Sequence, residues 1–220
     1  MCIRDRPYRL PQTCTNGQIA EWNGAAWVCG NDDVGTGSAS WSLTGNAGTN
    51  PLVNFLGTTD AVSLTLAVNG APALRLEPNA TSPNVVGGYS GNVAWPGVYG
   101  ASIGGGGASA AVNGVYDLYG TVGGGVDNAA YGEMSTVDGG GHNAASHMAT
   151  VSGGEYNHAE GDYSVVAGGD ANHAAHDHSF IGGGLLNYAG APMSVIGGGE
   201  SISVTGYAAT VAGGTYITVT

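Results

Sequence analysis

The stretch ATVSGGEYNHAEGDY (149–163), followed by SVVAGGDANHAAHDH (164–178) and SFIGGGLLNYAGAPM (179–193), decides the fold of this chain. The three segments align residue for residue. Each holds a Val or Ile followed by an X-Gly-Gly step, and this anchor recurs at Val122, Val137, Val151, Val166, Ile181, Ile196 and Val211. Successive anchor numbers differ by 15, 14, 15, 15, 15 and 15. Asn comes six after the anchor (Asn128, Asn143, Asn157, Asn172, Asn187) and Ala eight after (Ala130, Ala145, Ala159, Ala174, Ala189). Ser or Ala comes two before (Ser135, Ala149, Ser164, Ser179, Ser194, Ala209). A fixed period this short predicts a stacked solenoid with one supersecondary unit per repeat. Ser-x-Val-x-Gly reads as a strand whose alternate residues face inward. Gly-Gly supplies a sharp turn, and Asn-x-Ala a second, shorter strand. The expected fold class is all-β: a parallel β-roll or solenoid of about 15 residues per turn, preceded by small β-hairpin modules.

Upstream the repeat becomes irregular. Val86-Gly-Gly has Asn92 six on; Ile103-Gly-Gly comes 17 after Val86, and Val122 comes 19 after Ile103. Atypical terminal repeats suit the end of a solenoid, whose last coil must be capped. The β-roll domain therefore reads as 84–220. Residues 41–83 read as a β-rich connector with a hairpin: Val62 to Val68 alternates, Asn69-Gly70 turns, and Ala73 to Leu76 returns. Pro78 and Pro83 close it. Residues 7–40 read as a Trp/Cys hairpin module, Gln18 to Val28 around Asn23-Gly24, ending in the linker Gly35 to Ser40. Closing that hairpin brings Cys14 and Cys29 together as a candidate disulfide, which favours an oxidising compartment. Residues 1–6 match nothing after them and read as a non-native leader. The last repeat stops at Thr220 without a cap, so both ends read as cut.

Composition removes several function classes. Among 220 residues there are 42 glycines, 16 acids, four arginines and no lysine, for a net charge of −12. From Leu76 to Thr220 there are 11 acids and no Lys or Arg. Such a surface repels phosphate backbones and anionic headgroups, so no nucleic-acid partner is expected. The same lack opposes a lyase acting on an anionic polysaccharide. No run of about 18 apolar residues occurs, so no membrane insertion is expected within this segment.

No catalytic residue, metal or cofactor is expected. All six histidines fall in the repeats, and His173-x-x-His176-x-His178 lies near Asp170 and Asp177. Polar side chains stacked on a solvated face account for these without a ligand. If the histidines protonate, repulsion between coils is the expected result. Glu155, Asp170 and Glu200 share a column, but Leu185 interrupts it, and the period here is much longer than that of the nine-residue calcium-binding roll. Glu155 and Asp170, in adjacent coils, are the nearest approach to paired carboxylates. They sustain the one catalytic alternative, a β-solenoid hydrolase or lyase acting on a glycan. An ice- or crystal-binding array is weakened because Val165 and Phe180 break the threonine column. Asn79-Ala-Thr81 matches a glycosylation sequon. The Asn column is expected to satisfy turn backbone groups in a ladder. In the last repeats Ile202 and Ile217 replace Asn, and Val204 and Val219 replace Ala, so this strand is expected to face a following domain.

If the anchors face inward, the residue before each faces out: Thr136, Thr150, Val165, Phe180, Val195 and Thr210. An apolar stripe along the outside of so thin a roll needs a partner. These six residues are candidates for a homotrimer interface, with rolls packed side by side.

The repeat Ser-x-Val-x-Gly-Gly-x-x-Asn-x-Ala resembles the left-handed β-roll heads of trimeric autotransporter adhesins of the YadA-like kind. It is similar also to the repeat fibres of bacterial and phage proteins that end in an intramolecular chaperone domain. Trp41 to Gly48, Asn54 to Asp60, Val68-Asn-Gly with Ala73 to Pro78, and Cys14 to Gln18 with Trp22-Asn-Gly and Trp27-Val-Cys29 resemble the same fibres. The resemblance implies a non-catalytic trimeric surface or tail fibre that attaches to cells or other surfaces. It implies an extracellular, cell-surface or virion-tail location. Its implied partners are sister copies and a host or surface receptor such as a glycan.

Overall fold

The computed structural model describes residues 14, 18–22, 25–31, 41 and 43–220. It divides into two units, Met1–Leu56 and Gly57–Thr220. In the first, β1 (Gln18–Trp22) pairs antiparallel with β2 (Trp27–Asn31). Cys29 lies opposite Ala20 and is joined to Cys14 as a disulfide, with Cα atoms 5.4 Å apart. A two-residue Asn-Gly turn would pair Trp22 with Ala25, but the register pairs Trp22 with Trp27. The indoles of this rung meet edge to face at 5.9 Å, a cross-strand aromatic contact. Asn23 and Gly24 themselves, the leader 1–6 and the linker Gly35 to Ser40 lie outside the described residues.

The second unit is an all-β parallel solenoid. Its anchor residues and those just before them, from Ser102–Ile103 to Thr210–Val211, form two-residue strands in one parallel ladder. A second ladder of nine strands runs from Val93–Ala94 to Thr218–Val219 and contains the repeated Ala. A third line, of single parallel bridges, links Val126, Gly141, Glu155, Asp170, Leu185, Glu200 and Thr215. The one shortened repeat keeps both registers, Thr136 on Thr150 and Ala144 on His158, so its missing residue is absorbed in the return turn.

The connector hairpin belongs to this solenoid. β3 (Leu64–Val68) and β4 (Ala71–Glu77) turn at Asn69 and Gly70, whose φ values of 50° and 75° fit a type I′ turn. β4 pairs antiparallel with β5 (Asn84–Gly87), and β5 pairs parallel with Ser102–Ile103. The anchor sheet thus has 11 strands, with the hairpin covering its first edge. Arg75 finishes the cap: Nη1 donates to Ser90 O at 2.8 Å and Nη2 to Asn92 O at 2.6 Å.

The interior is as narrow as the repeat demands. Anchors, alanines, serines and asparagines are buried in successive columns. Asn157 shows how the asparagines act: its Nδ2 donates to Gly153 O in its own coil (3.0 Å) and to Gly169 O in the next (2.8 Å). Its Oδ1 accepts from Asn172 N at 3.0 Å. One carboxamide closes its own turn and fastens the following one. Ile202 and Val204 correct the expectation that this strand faces a following domain: both are fully buried, filling the Asn and Ala places inside the coil. Ile202 N still donates to Asn187 Oδ1 (3.0 Å), but an isoleucine has no acceptor to pass on, and the carboxamide ladder ends there.

Two adjacent glycines test the turn. A Cβ on Gly139 would meet nothing, whereas Gly140 has φ 86° and its Cβ would strike the Gly154 backbone. Thermal or urea unfolding should show Gly139→Ala changing stability by about 1 kcal/mol or less. Gly140→Ala should lose about 3 kcal/mol or fail to fold; equal losses would contradict this turn. Peptide mapping without reductant should yield Cys14 and Cys29 in one cross-linked pair.

Candidate functional site

Strand alternation delivers the outward column. Thr136, Thr150, Val165, Phe180, Val195 and Thr210 stand opposite one another in consecutive rungs. The anchors beside them are buried; Phe180 is 38% exposed, Thr210 is exposed, and the other four are half-buried. At a rung spacing of about 4.8 Å this makes an uncharged ribbon along the sheet.

A second column lies two residues upstream, at the corner bordering this ribbon: Tyr119, Met134, Met148, Tyr163, His178, Met193 and Ala208. All have φ between 52° and 58°. The left-handed conformation costs a residue with a Cβ about 1 kcal/mol, so Asn or Gly is the usual occupant. Here large side chains stand at six of the seven positions, Ala208 being the exception, and Met134, Tyr163 and Met193 are each about half exposed. Their amides close the corner against the preceding coil, as in Met134 N to Leu118 O (2.9 Å) and Met193 N to Asp177 O (3.0 Å). This column escapes strand-alternation reasoning because it belongs to a turn. Its only signal is the recurrence of Met or an aromatic one residue before the buried Ser or Ala.

The titratable residues are dispersed. His142 Nδ1 lies 2.9 Å from Asp127 Oδ2, His147 Nδ1 3.2 Å from Asp162 Oδ2, and His173 Nε2 2.8 Å from Glu160 Oε2. Each of these pairs joins neighbouring coils. Each of these three rings thus has a carboxylate facing it from a neighbouring coil, while His158 and His173 face each other with ring centroids 6.0 Å apart. His173, His176 and His178 do not converge: His173 turns to Glu160, and His178 stacks on Tyr163 at 5.1 Å. Among the described residues no group of three or more His, Cys, Asp or Glu is placed to hold a metal ion. Glu155 and Asp170 are paired in register on the third ladder, both exposed, with Leu185 next in line.

A stack of rings follows the residue after the second ladder. Trp95 meets Tyr116 at 5.6 Å, and Tyr116 meets Tyr131 at 5.0 Å with planes 23° apart. Burial pushes the Tyr116 phenol above its ordinary pKa, and the neighbouring Tyr131 and Asp127 add to the shift. The early coils hide this stack in sequence. Tyr131 comes nine after its anchor, but Tyr116 comes 13 after Ile103, because an excursion bridged at Ala108 and Ala111 intervenes.

By fold the chain is a parallel β-solenoid with one short repeat per coil. No protein-family model matches it, and no curated protein matches it in sequence.

Proposed function

We propose that this chain is a structural, non-catalytic segment of a trimeric surface or tail fibre, presenting a surface for attachment outside the cell or on a virion. The observation that carries this reading is the uncharged outward column from Thr136 to Thr210, bordered by Met134, Met148, Tyr163 and Met193. The coil interior holds only Val, Ile, Ala, Ser and Asn side chains, so little apolar area is buried per residue. A second and third copy would cover Val165, Phe180 and Val195 on every rung at once, since a periodic ribbon offers each copy the same surface. The Cys14–Cys29 disulfide suits an oxidising compartment. The acidic surface suits a receptor other than nucleic acid or an anionic membrane, such as a glycan.

Light scattering after size exclusion tests the assembly. The full chain should elute at three times its 21.7 kDa mass. Phe180→Asp, which sets a carboxylate in mid-ribbon, should shift the population to monomer. A wild-type chain that stays monomeric at high concentration would overturn the trimer.

A further inference from the structure

Beside the ring stack, the second sheet carries a trough whose use the assembly does not explain. Its floor is the outward side of Ala129 and Ala144, paired in register. In the next coils the same column holds His158, His173 and Tyr188. The floor is thus open over two methyl groups; His158 closes one end, and at Gly114, next in the column the other way, the Tyr116 ring fills the space. At the other end stands Val112, reached through the excursion that Asp127 N ties down by donating to Ala111 O (3.2 Å). The trough is shallow and half open to solvent, with a volume of about 260 Å³.

The walls differ in chemistry. One is the Tyr116–Tyr131 stack. Tyr131 is 55% exposed; Tyr116 covers one side of its ring, and the next residue in that column is the small Ser146. A wide aromatic surface is left to the solvent. The other wall is a wired polar line: Asp127 holds His142 at 2.9 Å, and the His142 ring lies on Tyr156 at 4.6 Å with planes 7° apart. The left-handed backbone at Asp127, His142 and Tyr156 fixes this line at the trough's edge.

We propose that this trough binds a neutral saccharide unit, its C–H face against Tyr131 and its hydroxyls toward the Asp127–His142 pair. Polarised C–H bonds suit the negative face of a phenol ring. Carboxylate and imidazole accept and donate to hydroxyls at the opposite wall. A few placed polar groups in an otherwise aromatic concavity are the general form of a small-ligand site. Charge narrows the class: with no Lys or Arg from Leu76 to Thr220, a uronate or sialic acid would find no counterion and would face Asp127. The trough lies on the second sheet, whereas the ribbon lies on the anchor sheet, so trimer packing through the ribbon leaves it open. The inference rests on the attachment role proposed above but not on the trimer.

Saturation-transfer NMR on the full chain, with cellobiose, maltose, lactose and N,N′-diacetylchitobiose as probes at millimolar concentration, tests it. At least one of them should receive saturation. Tyr131→Ala and Asp127→Asn should each weaken that ligand about tenfold. Both side chains are exposed, so an unchanged melting temperature should accompany the loss, and Phe180→Asp should leave binding unchanged. Absence of transfer to every neutral disaccharide, binding indifferent to Tyr131→Ala, or preference for sialyllactose or choline would each overturn the site. Light scattering on the same samples separates the two proposals. A trimer that binds no sugar removes only this one, and a monomer that does removes only the trimer.

Discussion

The buried asparagine carboxamide is the interaction on which the solenoid depends. A coil this short encloses too little space for a conventional apolar core, and its sharp turns leave backbone carbonyls pointing inward. Asn128, Asn143, Asn157, Asn172 and Asn187 each satisfy one such carbonyl in their own coil and one in the next. Each bond contributes about 1 kcal/mol net, and an unmet buried partner costs more than a made bond gains. The ladder is therefore cooperative along the axis: each coil is completed by the one after it, as the one-dimensional logic of repeat proteins requires.

That constraint propagates outward. Because the interior admits only small or β-branched side chains, the large apolar residues have to sit outside. Phe180, Tyr163, Met193, Tyr131 and Tyr156 are all substantially exposed. Coil stacking converts them from scattered residues into columns with one side chain about every 4.8 Å. A column of one type makes a surface whose properties are those of a line, not of a point. The anchor sheet thereby acquires an uncharged ribbon, the second sheet a ring stack, and the corners inter-coil His–carboxylate pairs. Three separate surfaces arise on one solenoid, the ring stack being the one that extends into its irregular first coils.

The ends of the ladder obey the same physics. The first edge would expose unpaired strand groups, and the β3–β4 hairpin covers it by running antiparallel to β5. Arg75 supplies donors to two remaining carbonyls of the first coil. At Ile202 the carboxamide chain stops, and dispersion between Ile202, Val204 and their neighbours takes over inside the coil.

The sequence by itself determined the period, the inward columns and the outward position of Thr136 to Thr210, because strand alternation and a fixed repeat are local rules. It also disclosed the Asn69-Gly70 hairpin through turn chemistry, and it proposed the cysteine pair. Only the tertiary structure decided what the irregular parts became. Insertions before Val122 spoil counting along the chain, yet hydrogen-bond register restores alignment in space. Trp95, Tyr116 and Tyr131 therefore stack although no constant spacing relates them. The Met and Tyr corners, the carboxylate facing each paired histidine and the inward turn of Ile202 likewise depend on which coil lies next door. That is set by packing between repeats, which no single repeat contains.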